Sequence, residues 1–180
     1  RYGDKAYPKE SAKSLATLLY LQRGVPIIYY GEELGLTNIR YHDVADFEDQ
    51  TVPGFVASAK AAGKTEKATM AMLNATHKMA GRGPMQWDDT AYHGFSKHLP
   101  WKHGDTDAMN TQAEIADPTS VYNYYRQLLV LKRQPLFVNG QFVILGSDKD
   151  LFTYLIDDDH DQAAVVCNLT EQKQTYTFPF

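Results

Sequence analysis

The fold class this sequence predicts is α/β followed by a small all-β module, and three observations predict it. An amphipathic helical stretch runs directly into a nearly continuous apolar segment, a second amphipathic stretch lies near residue 120, and beyond Pro135 the helical spacing gives way to short β-like runs. The first helix is expected over Glu10 to Arg23. Ala12, Leu15, Ala16 and Leu19 recur at helical spacing, Pro8 stands near the start and Gly24 closes the end. Val25-Pro26-Ile27-Ile28-Tyr29-Tyr30-Gly31 follows without alternation, the pattern of a parallel strand buried on both faces.

From Glu32 to about Ile115 the periodicity is weak, with one helical stretch near Thr65 to Leu73 and clusters of Gly, Pro, Asp and aromatic residues. So long a connection inside a compact domain is usually functional. A helix is expected over Pro118 to Arg133, capped by Asp117, with Val121, Tyr124, Tyr125, Leu128 and Leu131 along one face. The β-like runs are Gln141 to Leu145, Leu151 to Ile156, Ala163 to Asn168 and Thr175 to Phe178. Gly146-Ser147-Asp148, Asp157 to Asp161 and Thr170 to Lys173 separate them as turns. The expected division is therefore residues 1–135 and 136–180.

Composition excludes several classes of function. A formal charge of -4, with Lys and Arg scattered, gives no footprint for nucleic acid. No apolar run approaches the ~20 residues that span a bilayer, so no membrane partner is expected. Cys167 is the single cysteine, which rules out an internal disulfide, and its apolar neighbours Ala164, Val165 and Val166 mark it as a buried strand thiol. Arg1 at the start and Phe180 inside a β-like run read as cut ends of a longer polypeptide. The Asn-x-Thr tripeptides at Asn74 and Asn168 matter only in a secreted protein and are read as chance.

The candidate chemistry is sparse. Glu32 and Glu33 follow the carboxyl end of the expected strand, where barrel enzymes carry their active sites. Adjacent residues of an extended segment point in opposite directions, however, so the two cannot jointly flank one bond, and solvated or Arg-paired structural roles are preferred. Asp88-Asp89 and the aspartates Asp157, Asp158, Asp159 and Asp161 around His160 read as turn residues. His42, His77, His93, His98 and His103 lack ligand-like spacing, and neither a metal nor a cofactor is expected. Arg82 is different. It lies in Ala80-Gly81-Arg82-Gly83-Pro84-Met85-Gln86-Trp87, where small residues let the backbone approach a ligand and a guanidinium could pair with adjacent hydroxyls; a structural salt bridge explains it equally well.

Two segments carry a resemblance. Glu10 to Leu19 followed by Gly24-Val25-Pro26-Ile27-Ile28-Tyr29-Tyr30-Gly31-Glu32-Glu33-Leu34-Gly35 resembles the last barrel helix and strand of the α-amylase family of glycoside hydrolases. Pro84-Met85-Gln86-Trp87-Asp88, then Gly94-Phe95-Ser96 and Pro100-Trp101, is similar to the oligo-1,6-glucosidase branch of that family.

The resemblance implies the last unit of a (β/α)8 TIM barrel, then an antiparallel β-sandwich-like C-terminal domain. It further implies an exo-acting, retaining α-glucosidase that takes oligosaccharides or disaccharides in the cytoplasm. The family's nucleophilic aspartate, acid/base glutamate and stabilising aspartate lie on earlier strands; the last of these belongs to an Asn-His-Asp motif that shortly precedes a segment like Arg1-Tyr2-Gly3-Asp4. No catalytic residue is therefore expected within this chain, and the chain alone is expected to be inactive and prone to self-association. Arg82 matches the arginine that helps hold the terminal glucose. Around it the family usually reads Arg-Asp-Asn-Ala-Arg-Thr, where this chain has Lys78-Met79-Ala80-Gly81-Arg82-Gly83. The rival reading from another class is a non-catalytic amylase-like protein, such as a transporter heavy-chain ectodomain, or a glucan-binding module.

Overall fold

The computed structural model describes residues 4, 6–147 and 150–178. Arg1, Tyr2, Gly3, Asp148 and Phe180 lie outside them. In chain order the helices are α1 (Pro8–Tyr20), α2 (Val52–Ala61), α3 (Glu66–Thr76), α4 (Thr111–Ala116), α5 (Val121–Lys132) and α6 (Pro135–Asn139), followed by strands β1 (Gln141–Ser147), β2 (Leu151–Asp157) and β3 (Gln162–Asn168). Packing divides the chain into two compact units, residues 36–113 and the segments on either side of them.

In the unit formed by the flanking segments, α1 begins at Pro8, whose fixed φ and missing N–H suit the first turn. The helix stops at Tyr20, three residues short of the expected Arg23. Helix α5 starts at Val121, later than expected, and its cap is Ser120 rather than Asp117. The Ser120 hydroxyl accepts from Asn123 N at 3.0 Å. Asp117 instead closes its own turn, accepting from Thr119 N at 2.8 Å and Thr119 Oγ1 at 2.7 Å, and meets Lys9 Nζ at 2.9 Å. The Thr119 hydroxyl and the Lys9 ammonium hold its carboxyl down at about 2.

The strands form one antiparallel sheet in the order β1-β2-β3. Tyr154 faces Val165, Phe152 faces Cys167 and Ile156 faces Ala163, so alternate residues of β2 and β3 build one apolar face. That face joins Ala16, Tyr20 and Leu21 and the α5 residues Val121, Tyr125 and Leu128 in one core. The Tyr154 hydroxyl donates to Thr17 O at 3.1 Å, so the buried phenol ties the sheet to α1. Burial pushes the Cys167 thiol up to about 11, as suits an inert core thiol.

Two expected strands are not strands. Val25 to Gly31 belongs to no sheet, with Val25 and Ile27 86% and 85% exposed. A parallel strand takes its backbone hydrogen bonds from flanking strands, and this segment lies in no ladder among the described residues. Thr175 to Phe178 likewise forms no strand, so among the described residues the β-module is a single three-stranded sheet whose apolar face packs on α1 and α5 rather than on a second sheet.

In the other unit, α3 matches the expected helix and α2 is an addition. The apolar residues of α2 are broken by Gly54, and its stability comes from packing rather than periodicity. Phe47, Val52 and Leu73 form a second core with Ile39, Tyr41, Met79 and Ala80. Asn74 stitches it together by accepting from Tyr41 N and donating to Tyr41 O, both at 2.9 Å.

Candidate functional site

Arg82 ends a short 3₁₀ helix, Lys78–Arg82, whose start is capped by the His77 ring: Nδ1 accepts from Met79 N at 3.3 Å. Lys78 meets Asp49 at 2.7 Å, and together with the Thr51 hydroxyl it holds the Asp49 carboxyl well below the usual range. Asn38 Nδ2 donates to Asn74 O at 2.8 Å, and Ile39 N donates to Ala80 O at 2.9 Å. The support beneath Arg82 is thus built from Lys78, Asp49, Asn38 and the backbone of Ile39. On this base the Arg82 side chain is exposed. Its Nη1 donates to Met79 Sδ at 3.5 Å, a weak acceptor, and no carboxylate among the described residues stands within ion-pair distance. Among the described residues, no structural salt bridge of Arg82 is formed.

The segment after Arg82 is anchored at Gln86, which is buried. Its carbonyl accepts from Thr111 N at 2.8 Å and Thr111 Oγ1 at 2.9 Å, and its amide nitrogen reaches Met109 O and Asp107 O at 2.7 and 2.8 Å. Downstream, Trp87 N donates to His93 O at 2.9 Å. Asp88 accepts from Thr90 N at 2.9 Å and Thr90 Oγ1 at 2.5 Å, bonds that lower its carboxyl. Asp88 is therefore a turn residue. A Cβ at Gly94, where φ is +66°, would lie 2.5 Å from Asp88 Oδ2, so this glycine lets the loop close.

A second stitch runs beside it. Arg40 and Asp105 exchange backbone hydrogen bonds of 2.9 and 3.0 Å, while Arg40 Nη1 meets Asp107 Oδ1 at 3.1 Å and His42 Nε2 meets Asp105 Oδ2 at 2.9 Å. Arg40, His42 and Asp105, with Tyr92, His93, Pro100 and His103, line an open cavity of about 450 Å³. His93 Nε2 lies 3.1 Å from Thr106 Oγ1, and His103 Nδ1 lies 3.1 Å from Pro100 O.

The glutamate pair has structural work in the other unit. Glu32 and Glu33 sit in a 3₁₀ turn between left-handed Gly31 and Gly35. Glu32 accepts from the Tyr20 hydroxyl and from Tyr29 N at 3.2 Å, and Glu33 accepts from Gly31 N at 2.8 Å. Backbone and phenol partners take the place of the solvent or arginine expected for them. The Asp157 cluster also reads as a turn: Asp157 accepts from Asp159 N at 2.9 Å, and Asp158 from His160 N and Asp161 N at 3.1 and 2.8 Å.

Sequence reasoning passed over Lys102, which is buried and donates to Asp46 O and Phe47 O at 3.2 Å each and to Glu48 Oε2 at 2.9 Å. Nothing in local periodicity marks a lysine whose three acceptors lie more than fifty residues away.

Comparison with known proteins assigns the class. The sequence profile described as alpha amylase, catalytic domain, matches residues 1–140. The oligo-1,6-glucosidase of Halalkalibacterium halodurans is 34% identical over 173 residues, covering 93% of this chain and 31% of that protein. Among solved structures, a family GH13_31 enzyme is 41% identical with a TM-score of 0.82, covering 91% of this chain and 30% of its own. The trehalose-6-phosphate hydrolase of Bacillus licheniformis is 32% identical with a TM-score of 0.85, over 94% and 31% respectively. The chain belongs to the α-amylase family, and it spans about a third of the length of the curated relatives it matches. No helix among the described residues is long and apolar enough to cross a membrane.

Proposed function

We propose that this chain is the carboxyl-terminal part of an exo-acting, retaining α-glucosidase that releases terminal glucose from short α-glucosides. In this reading residues 1–135 complete the (β/α)8 barrel and supply one wall of the pocket, and residues 136–180 begin the C-terminal β-domain. The nucleophile, the acid/base and the stabilising aspartate come from polypeptide outside this chain, and the whole enzyme works in the cytoplasm.

The observation that carries the reading is Arg82. It stands exposed at the end of a braced 3₁₀ turn without a carboxylate partner among the described residues, directly before the Pro84-Met85-Gln86-Trp87 run. A guanidinium so placed offers paired donors in one plane, which suits adjacent sugar hydroxyls. The relative named as an oligo-1,6-glucosidase supports an α-glucoside as substrate. The exposed Val25 and Ile27 support self-association of the isolated chain, whose apolar surface lacks cover.

The test is direct. The full-length enzyme should release glucose from isomaltose or maltose with the α-configuration retained, followed by proton NMR of the anomeric signals. This chain purified alone should leave a nitrophenyl α-glucoside intact. A β-anomeric first product, or turnover by the isolated chain, would contradict the assignment.

A further inference from the structure

We propose that Trp101 is a carbohydrate-stacking platform, receiving the apolar face of a glucosyl unit remote from the bond being cleaved. This rests on the α-glucosidase reading, and it assigns a contact beyond Arg82. Trp101 is 71% exposed in this chain, less than Val25 and Ile27, but unlike them it is held by polar partners. Its orientation is fixed. The indole Nε1 donates to Glu48 Oε2 at 2.7 Å, and Lys102 Nζ sits over the ring 4.8 Å from its centroid.

Holding the indole requires two costly arrangements. Lys102 is buried, with its ammonium shared among two carbonyls and the same Glu48 carboxylate. Glu48 itself is left-handed, with φ +47°, a conformation that side chains other than glycine seldom adopt. The product of both is an anchored aromatic surface facing solvent, with a cation over the ring and most of the side chain exposed.

The chemistry of that surface selects a sugar. A pyranose presents a patch of C–H bonds on one face and hydroxyls around its rim, matching an indole face bordered by polar groups. Pro100, next in sequence, lines the 450 Å³ cavity with Arg40, His42 and Asp105, whose nitrogen donors and carboxylate acceptors suit hydroxyls. A volume of that size falls within the about 300–1,000 Å³ typical of small-molecule sites.

The experiment uses the full-length enzyme and two substrates, a nitrophenyl α-glucoside with one glucosyl unit and an isomalto-oligosaccharide of several. Trp101→Ala should leave kcat/KM for the nitrophenyl glucoside within twofold and raise KM for the oligosaccharide by about fivefold. Trp101→Phe, which keeps a stacking face, should recover most of the loss. Glu48→Gln, which loosens the indole without removing it, should fall between. Calorimetric titration of the oligosaccharide should show the same order. If no variant cleaves either substrate but the binding order holds, the platform stands and the glucosidase reading fails. Equal KM and equal affinity for the oligosaccharide in well-folded Trp101→Ala and wild-type enzyme would overturn the proposal. So would a loss shared equally by both substrates, or an indole shielded from acrylamide quenching in the full-length protein.

Discussion

Ile39 and Gly83 interlock: the Cγ2 methyl of Ile39 occupies the place that a Cβ on residue 83 would need. A threonine at this position would collide with a side chain that is itself buried in the core of its unit. The glycine and the isoleucine therefore make sense only together, and they sit immediately after Arg82 and opposite the backbone bond from Ile39 to Ala80.

Gly83→Thr should destabilise the unit containing residues 36–113 by about 1–3 kcal/mol through overpacking, and Ile39→Ala by about 2–5 kcal/mol through an empty volume. The double variant should lose clearly less than the sum, because the threonine fills the space the isoleucine leaves. Denaturant melts of the four proteins measure the coupling. Strict additivity would show that the two positions do not compete for one space.

Arg82→Ala in the full-length enzyme should lower kcat/KM by at least about tenfold, roughly 1.4 kcal/mol, since a charged hydrogen bond contributes ~1.5–3 kcal/mol. Thermal stability should hardly change, because among the described residues the side chain bonds only the Met79 sulfur. Arg82→Lys should rescue poorly, as an ammonium lacks the planar fork. Unchanged kinetics in a well-folded alanine variant would remove Arg82 from the substrate's contacts.

Ser120→Ala should cost about 1 kcal/mol, the typical loss of an N-cap, because the half-buried Asn123 N would lose the acceptor that the fully buried Ser120 supplies. Restoring a cap with Ser120→Asp should return part of this in urea melts, less whatever burying its charge costs. Equal stability of the alanine variant would assign the start of α5 to some other group.

Alkali should unfold the chain cooperatively. Burial raises the phenols of Tyr20, Tyr125 and Tyr154, and it carries Tyr41 up to about 12. A phenol with a raised pKa in the folded state keeps its proton where the unfolded chain has lost it. Its contribution is complete below the ordinary value of 10.0 and disappears as pH rises through the folded value. Phenolate absorbance should therefore rise in step with loss of near-ultraviolet circular dichroism above pH 10. Smooth titration of all the tyrosines near pH 10 in a still-folded chain would contradict it.

Much of this architecture is legible along the chain because it rests on local periodicity. Ala12, Ala16 and Leu19 announce α1, Val121, Tyr125 and Leu128 announce α5, and the turn residues between Gln141 and Asn168 separate three strands whose pairing then follows from adjacency. The family motifs were legible as well, and with them the position of Arg82.

What only the tertiary structure decided depends on partners distant in sequence. Val25 to Gly31 has the composition of a buried strand, yet a strand exists only when a neighbour supplies its hydrogen bonds, and here Val25 and Ile27 face solvent. The Ser120 hydroxyl took the capping role because Asp117 was already closing its own turn and meeting Lys9, 108 residues away. Glu32 was claimed by the Tyr20 phenol, and Lys102 by Glu48 and two carbonyls. Periodicity records which face of an element avoids water; which polar group satisfies which depends on where the chain brings them together, and on that the spacing of residues is silent.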